Sequence, residues 1–246
     1  MKSAWFAVLG IAMGLMLIGT MLVPDAQLFR DPTMARIMFT HVPCAMICSG
    51  FLIASAWHGF KVLKNYNDTS ATKLHAAVEL GSLFAALTMV TGILFSKIMW
   101  GEYWHGDPRQ VSFLIVLFIY GGLLALRAAF PDPIRRDRNT ASYALAAILP
   151  SIFLTFVYPR LKAVQQQSFH PSNTIVEGQM DIFYSVGLYG SLVLIAIIAI
   201  VVFKLRVRTE LLARKLENHG NLETHSGDSA SPRMVRPVAV SPEHLD

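Results

Sequence analysis

Six apolar stretches dominate this chain, running approximately Ala4 to Val23, Ala35 to Phe60, Leu74 to Phe95, Val111 to Phe130, Ala141 to Tyr158 and Ile182 to Phe203. Each reaches the length of about 17 to 25 residues needed to cross a hydrocarbon core roughly 30 Å thick. Open strands would leave backbone groups unpaired in lipid, so all six are expected to be helices. With 54% hydrophobic and 15% charged residues, the chain lies outside the range of ordinary soluble domains. The expectation is an all-α membrane protein, a six-transmembrane-helix bundle forming one domain over residues 1–208. The first stretch is long enough to span and no small-residue cleavage pattern follows it, so it reads as an uncleaved anchor. From about Glu217 onward Ser, Pro, His, Asn and charge prevail, and residues 209–246 read as a polar, disordered tail.

Lys and Arg positions orient the bundle, because short loops rich in them stay on the cytoplasmic side. One such loop carries Lys61, Lys64 and Lys73, and a second Arg135, Arg136 and Arg138; the tail opens with Lys204, Arg206, Arg208, Arg214 and Lys215. Both termini are therefore expected to be cytoplasmic. The formal net charge of +5 reflects these anchors, which face anionic membrane lipid. Nucleic-acid binding is not needed to explain it.

This orientation sorts the histidines. His41, His105 and His170 share the outer face, His58 and His75 the inner one, and His219, His225 and His244 fall in the tail. On the outer face lies Trp100-Gly101-Glu102-Tyr103-Trp104-His105-Gly106-Asp107-Pro108-Arg109, a loop dense in aromatics and charge. Aromatics also anchor spans at the interface, and a lone helix histidine is ordinarily a satisfied packing residue. Their co-location favours a ligand. Imidazole is an axial ligand of haem iron; Trp100, Tyr103 and Trp104 offer a flat wall for a porphyrin, and Arg109 a partner for its propionates. Asp107 either pairs with Arg109 or contacts the ligand. Zinc would demand a compact Cys, His and carboxylate set that these scattered histidines lack. Cys44 and Cys48 share a helix face with His41, but their depth in an apolar segment disfavours thiolates, and they read as packing residues.

At these residues the chain resembles the haem-handling proteins of cytochrome c maturation, the family of CcmC, CcmF and CcsA, and most closely its CcmC branch. The family loop W-G-x-x-W-x-W-D-x-R is matched at Trp100, Gly101, Trp104, Asp107 and Arg109, and departs at Gly106, where the pattern has tryptophan. Restoring that tryptophan is expected to be tolerated unless the backbone needs a positive φ. Ile37-Met38-Phe39-Thr40-His41-Val42-Pro43 is similar to the segment around the family's first haem-ligating histidine, and Ser168-Phe169-His170 stands in place of the second. The resemblance covers residues 1 to about 208. It implies a non-catalytic protein of the bacterial inner membrane that holds haem b at the outer face and hands it to the haem chaperone CcmE, beside CcmD and the transporter subunits CcmA and CcmB. His41 and His170 are then the axial ligands, with Trp100, Tyr103, Trp104, Asp107 and Arg109 lining the platform.

Three other readings compete. A CcsA-type haem lyase component shares the loop but usually has more spans. A di-haem cytochrome b carrier would add an inner haem at His58 and His75. For a transporter, Glu79 within the third span is the best hint, because buried carboxylates mark ion pathways.

Overall fold

The computed structural model describes residues 3–27, 29–170 and 180–227, with side chains to residue 217. Residues 171–179, the side chains of His219 and His225, and all of His244 lie outside the described residues. Helices α1 (Ser3–Leu22), α2 (Met38–Lys64), α3 (Asp68–Trp100), α4 (Pro108–Ala129), α5 (Pro133–Ile152), the short α6 (Lys162–Gln165) and α7 (Ile182–Gly227) follow in order. Six helical stretches are long and apolar enough to cross a membrane, as the sequence predicts. The protein is a multi-span membrane helix bundle, and among the described residues it has no strand.

Helix starts follow local chemistry. Asp107 precedes Pro108 and accepts the Arg109 amide at 2.8 Å, while Asp132 precedes Pro133 and accepts the Arg135 amide at 2.7 Å. A carboxylate at the cap satisfies an orphan donor, and proline fits the first helical position because its missing N–H costs nothing there. α3 ends at Gly101, whose φ of 93° is the left-handed conformation of a helix C-cap. The fifth span begins at Pro133 and is less regular than the apolar pattern suggests. Pro150 removes one intrahelical bond, and the helix widens into a π turn at Phe153–Val157 before a closing turn at Tyr158–Arg160.

α2 is central and packs on α3, α5 and α7, whereas α1 sits at the edge against α7. The apolar core joins Cys44, Cys48, Leu52, Leu74, Val78, Val116, Tyr120, Leu123 and Ala144. Both cysteines are buried and free, consistent with packing residues. A smaller cluster packs Phe39 of α2 on Tyr184 of α7 with ring centroids 5.3 Å apart. Beneath Phe39 lies Gly187, where an added Cβ would stand 2.7 Å from the ring. Gly187→Ala is therefore expected to cost about 1–3 kcal/mol by overpacking, read as a lower melting midpoint in detergent.

The bundle has a charged end and an aromatic end. At the charged end Arg127 donates to Asp137 at 2.7 Å, and Arg214 bridges Asp137 at 3.1 Å and Glu210 at 3.0 Å. Arg206 grips Glu79 with two hydrogen bonds of 2.7 and 2.9 Å. This network ties the first part of the α7 extension to the bundle. α7 runs on to Gly227, and within it Arg206, Glu210 and Arg214 stand one turn apart and reach α3, α4 and α5.

The network also closes two alternatives. His75 Nδ1 lies 2.7 Å from Glu210 and Nε2 lies 3.1 Å from Glu79. With both ring nitrogens engaged by carboxylates, His75 has no lone pair to offer an inner haem. Glu79 is one member of this closed cluster, an anchor for α7 where an ion pathway would need an exchangeable carboxylate.

Candidate functional site

The aromatic end is built by the α3–α4 loop, the start of α2 and the connection ending at His170. Gly101 and Gly106 have φ of 93° and 67°, so two left-handed turns reverse the chain between α3 and α4. Side chains then pin the loop: Ser96 donates to the Glu102 carbonyl at 2.9 Å, and Lys97 to the Gly101 carbonyl at 2.8 Å. Gln110, buried in the first turn of α4, accepts the His105 amide and donates to the Tyr103 carbonyl, both at 3.3 Å. The departure at Gly106 thus has a backbone reason. A tryptophan there finds open space but a strained φ, at a cost of roughly 1–2 kcal/mol, so the exception for a positive φ applies.

Asp107 organises the site. Its side chain is fully buried, and beyond capping α4 it accepts from the Phe169 amide at 2.7 Å and Ser168 Oγ at 3.0 Å. His170 Nδ1 stands 3.6 Å from its other oxygen. Burial alone would push the carboxyl up, but the contact with His170 and the Arg109 and Phe169 amides outweigh it and hold the group well below the usual carboxylate range. The carboxylate therefore stays ionised at ordinary pH, and its grip on 168–170 is lost only as pH falls into strong acid. Of the two roles open to Asp107, pairing with Arg109 takes the form of a backbone cap.

Trp100 is the aromatic hub. Its ring centroid lies 5.3 Å from His170, 5.5 Å from Phe169 and 6.1 Å from His105. Trp104 and Tyr103 point elsewhere, 41% and 56% exposed, with Lys97 Nζ 5.2 Å from the Tyr103 centroid. Of the expected wall, one indole stands beside His170 and two rings face outward.

His41 enters from the first turn of α2. Its Nδ1 lies 2.9 Å from Thr91 Oγ1, and its Cε1 would be 3.1 Å from a Cβ at Gly92, so a residue without a side chain admits the ring to α3. His41 and His170 are near enough for charge on one ring to act on the other. Arg109 and Arg160 likewise feel each other's charge. Among the described residues no three metal-binding side chains converge, and His41, His105 and His170 lie at this end among aromatic and cationic side chains.

The structure thus brings together His41, His170, Trp100, Asp107 and Arg109 at one end and leaves Tyr103 and Trp104 at its rim. Thr91, Gly92, Gln110 and Arg160 were not anticipated. Arg160, next to Pro159 at the end of the fifth span, carried a readable signal as a cation facing the same side as Arg109.

The fold defines a multi-span helical membrane protein with a cluster of aromatic and histidine side chains at one end. A family model described as heme exporter protein C matches residues 1–221, and the chain belongs to that family. Curated relatives of the same name include that of Rhodobacter capsulatus, 27% identical over 74% of this chain and 75% of its own. The protein of Paracoccus denitrificans is 26% identical over 76% and 78%, and that of Haemophilus influenzae is 36% identical over 50% and 49%.

Proposed function

We propose that the aromatic end faces the outside of the bacterial inner membrane, both termini being cytoplasmic, and holds haem b as cargo for cytochrome c maturation. His41 and His170 ligate the iron, and the protein passes haem to the chaperone CcmE in company with CcmD and the transporter subunits CcmA and CcmB. The observation that carries this reading is that His170, packed against Trp100, and His41, from a distant part of the sequence, lie near enough to act on each other electrostatically. Family membership supports it, as the relatives are named as haem exporters. The charge distribution supports the orientation, since the arginine-rich loop and the α7 extension share the opposite end.

The donor set fits the cargo. Two neutral imidazoles suit haem iron, Trp100 offers an apolar edge beside one of them, and the neighbouring Arg109 and Arg160 match the two propionates of a porphyrin. Exposed Trp104 and Tyr103 form the open rim from which a chaperone can take the cargo. The chain's own work is to bind, orient and release, with no bond made or broken in the porphyrin.

Trp100 and Trp104 separate platform from belt. Trp100→Leu keeps hydrophobicity but removes the ring beside His170, and a stacking contribution of about 0.5–1.5 kcal/mol predicts roughly two- to thirteenfold weaker haem retention. Trp104→Leu should affect delivery to the chaperone more than retention. Haem per protein in purified membranes, with transfer to added chaperone, checks both. Normal retention and delivery in both variants would reduce the loop to an interface anchor.

A further inference from the structure

This inference rests on the reading of His41 and His170 as the haem ligands, and concerns what stands behind each ring. Thr91 Oγ1 has a single proton, and the carbonyls of Leu87 at 2.8 Å and Thr88 at 3.1 Å take it. The His41 Nδ1 that lies 2.9 Å from the same oxygen is therefore the donor, which leaves the Nε2 lone pair free. Beside His170 stands the Asp107 carboxylate, an acceptor only, 3.6 Å from Nδ1, a charge contact longer than a hydrogen bond. A buried negative charge on that side favours the proton on Nδ1, which leaves Nε2 as the ligating atom.

The two partners are unequal. A carboxylate fixes a ligating imidazole and raises its basicity, whereas a hydroxyl already spent on helix carbonyls offers a neutral, weaker acceptor. Asp107 cannot swing away either, because the Phe169 and Arg109 amides and Ser168 Oγ hold it at 2.7, 2.8 and 3.0 Å.

We propose that His170 is the retained haem ligand and His41 the labile one, with Asp107 the positioning residue that makes the difference. An incoming ligand then displaces His41 first while His170 keeps the cargo on the protein. The two faces of the haem are thereby given an order of release.

The test compares haem-loaded His41→Ala, His170→Ala, Asp107→Asn and Thr91→Val, each normalised to protein in the membrane. His170→Ala should lose at least about tenfold more haem than His41→Ala, and free imidazole should restore the low-spin spectrum of His41→Ala. Asp107→Asn should weaken retention about ten- to hundredfold, as loss of a partner behind a ligand does, and Thr91→Val by less than about threefold. Equal loss from the two histidine variants, or unchanged retention in Asp107→Asn, overturns the proposal. Full retention in both histidine variants overturns the ligand reading itself and this inference with it. Ligand-free wild-type protein gives an independent readout: ¹⁵N-histidine NMR, assigned through the two histidine variants, should show the Nδ1–H tautomer at both positions. An Nε2–H tautomer at His170 overturns the proposal even if Asp107→Asn fails to accumulate.

Discussion

Asp137→Ala is expected to destabilise the folded bundle by about 3–5 kcal/mol, because removing one partner of a buried ion pair strands the other. Asp137 is wholly buried and receives Arg127 at 2.7 Å, Arg214 at 3.1 Å and the Tyr66 hydroxyl at 3.1 Å. Arg127 is itself buried, and its second acidic neighbour, Glu210, is farther off at 3.7 Å. Alanine therefore leaves one guanidinium without a close partner and loosens the second, which ties α7 to α5. Replacing the pair together, as Arg127→Met with Asp137→Leu, should recover much of the loss, since apolar residues need no compensating charge. Melting midpoints in one detergent check both variants, and haem per folded protein should be unchanged because the network lies at the end away from His41 and His170. A loss under about 1 kcal/mol for Asp137→Ala would mean that the pair is solvated and does not clamp α7.

The spans were legible because a bilayer leaves a chain few options: six apolar stretches of sufficient length appear as six helices, each within a few residues of its expected limits at the apolar ends. The charged ends were not. Glu210 and Arg214 read as solvated tail residues because their partners, Asp68, His75 and Asp137, are remote in sequence and no local pattern announces them. The inner histidines illustrate the same limit, since His75 looks like a ligand until Glu79 and Glu210 are placed on its two nitrogens.

At the aromatic end residue types pointed to the right surface, yet not to the division of labour within it. Asp107-Pro108 is readable as a helix start, and it is one. That the same carboxylate also holds Ser168 and Phe169 depends on the fold bringing the chain back to that point. Aromatic character likewise cannot tell which indole turns inward. Trp100, in the last turn of α3, is carried by the helix toward His170, whereas Trp104 lies between two left-handed turns and faces out. Gly106 was read as a lost tryptophan, and its φ of 67° gives it a positive role as the second turn.

Where haem is held decides between the two ends of the bundle. The double variant His41→Ala/His170→Ala should lose haem on the order of a hundredfold or more, since loss of even an outer partner of a ligand costs up to that much. The matched variant His58→Ala/His75→Gln, altered only at the charged end, should keep it. The measurement is haem per protein by pyridine haemochrome in both variants and in the wild type, whose two-histidine site predicts about one haem per chain. Near-complete loss from the first variant and wild-type content in the second is the predicted result. Wild-type content in the first, or equal loss from both, would contradict the assignment of the aromatic end as the haem site.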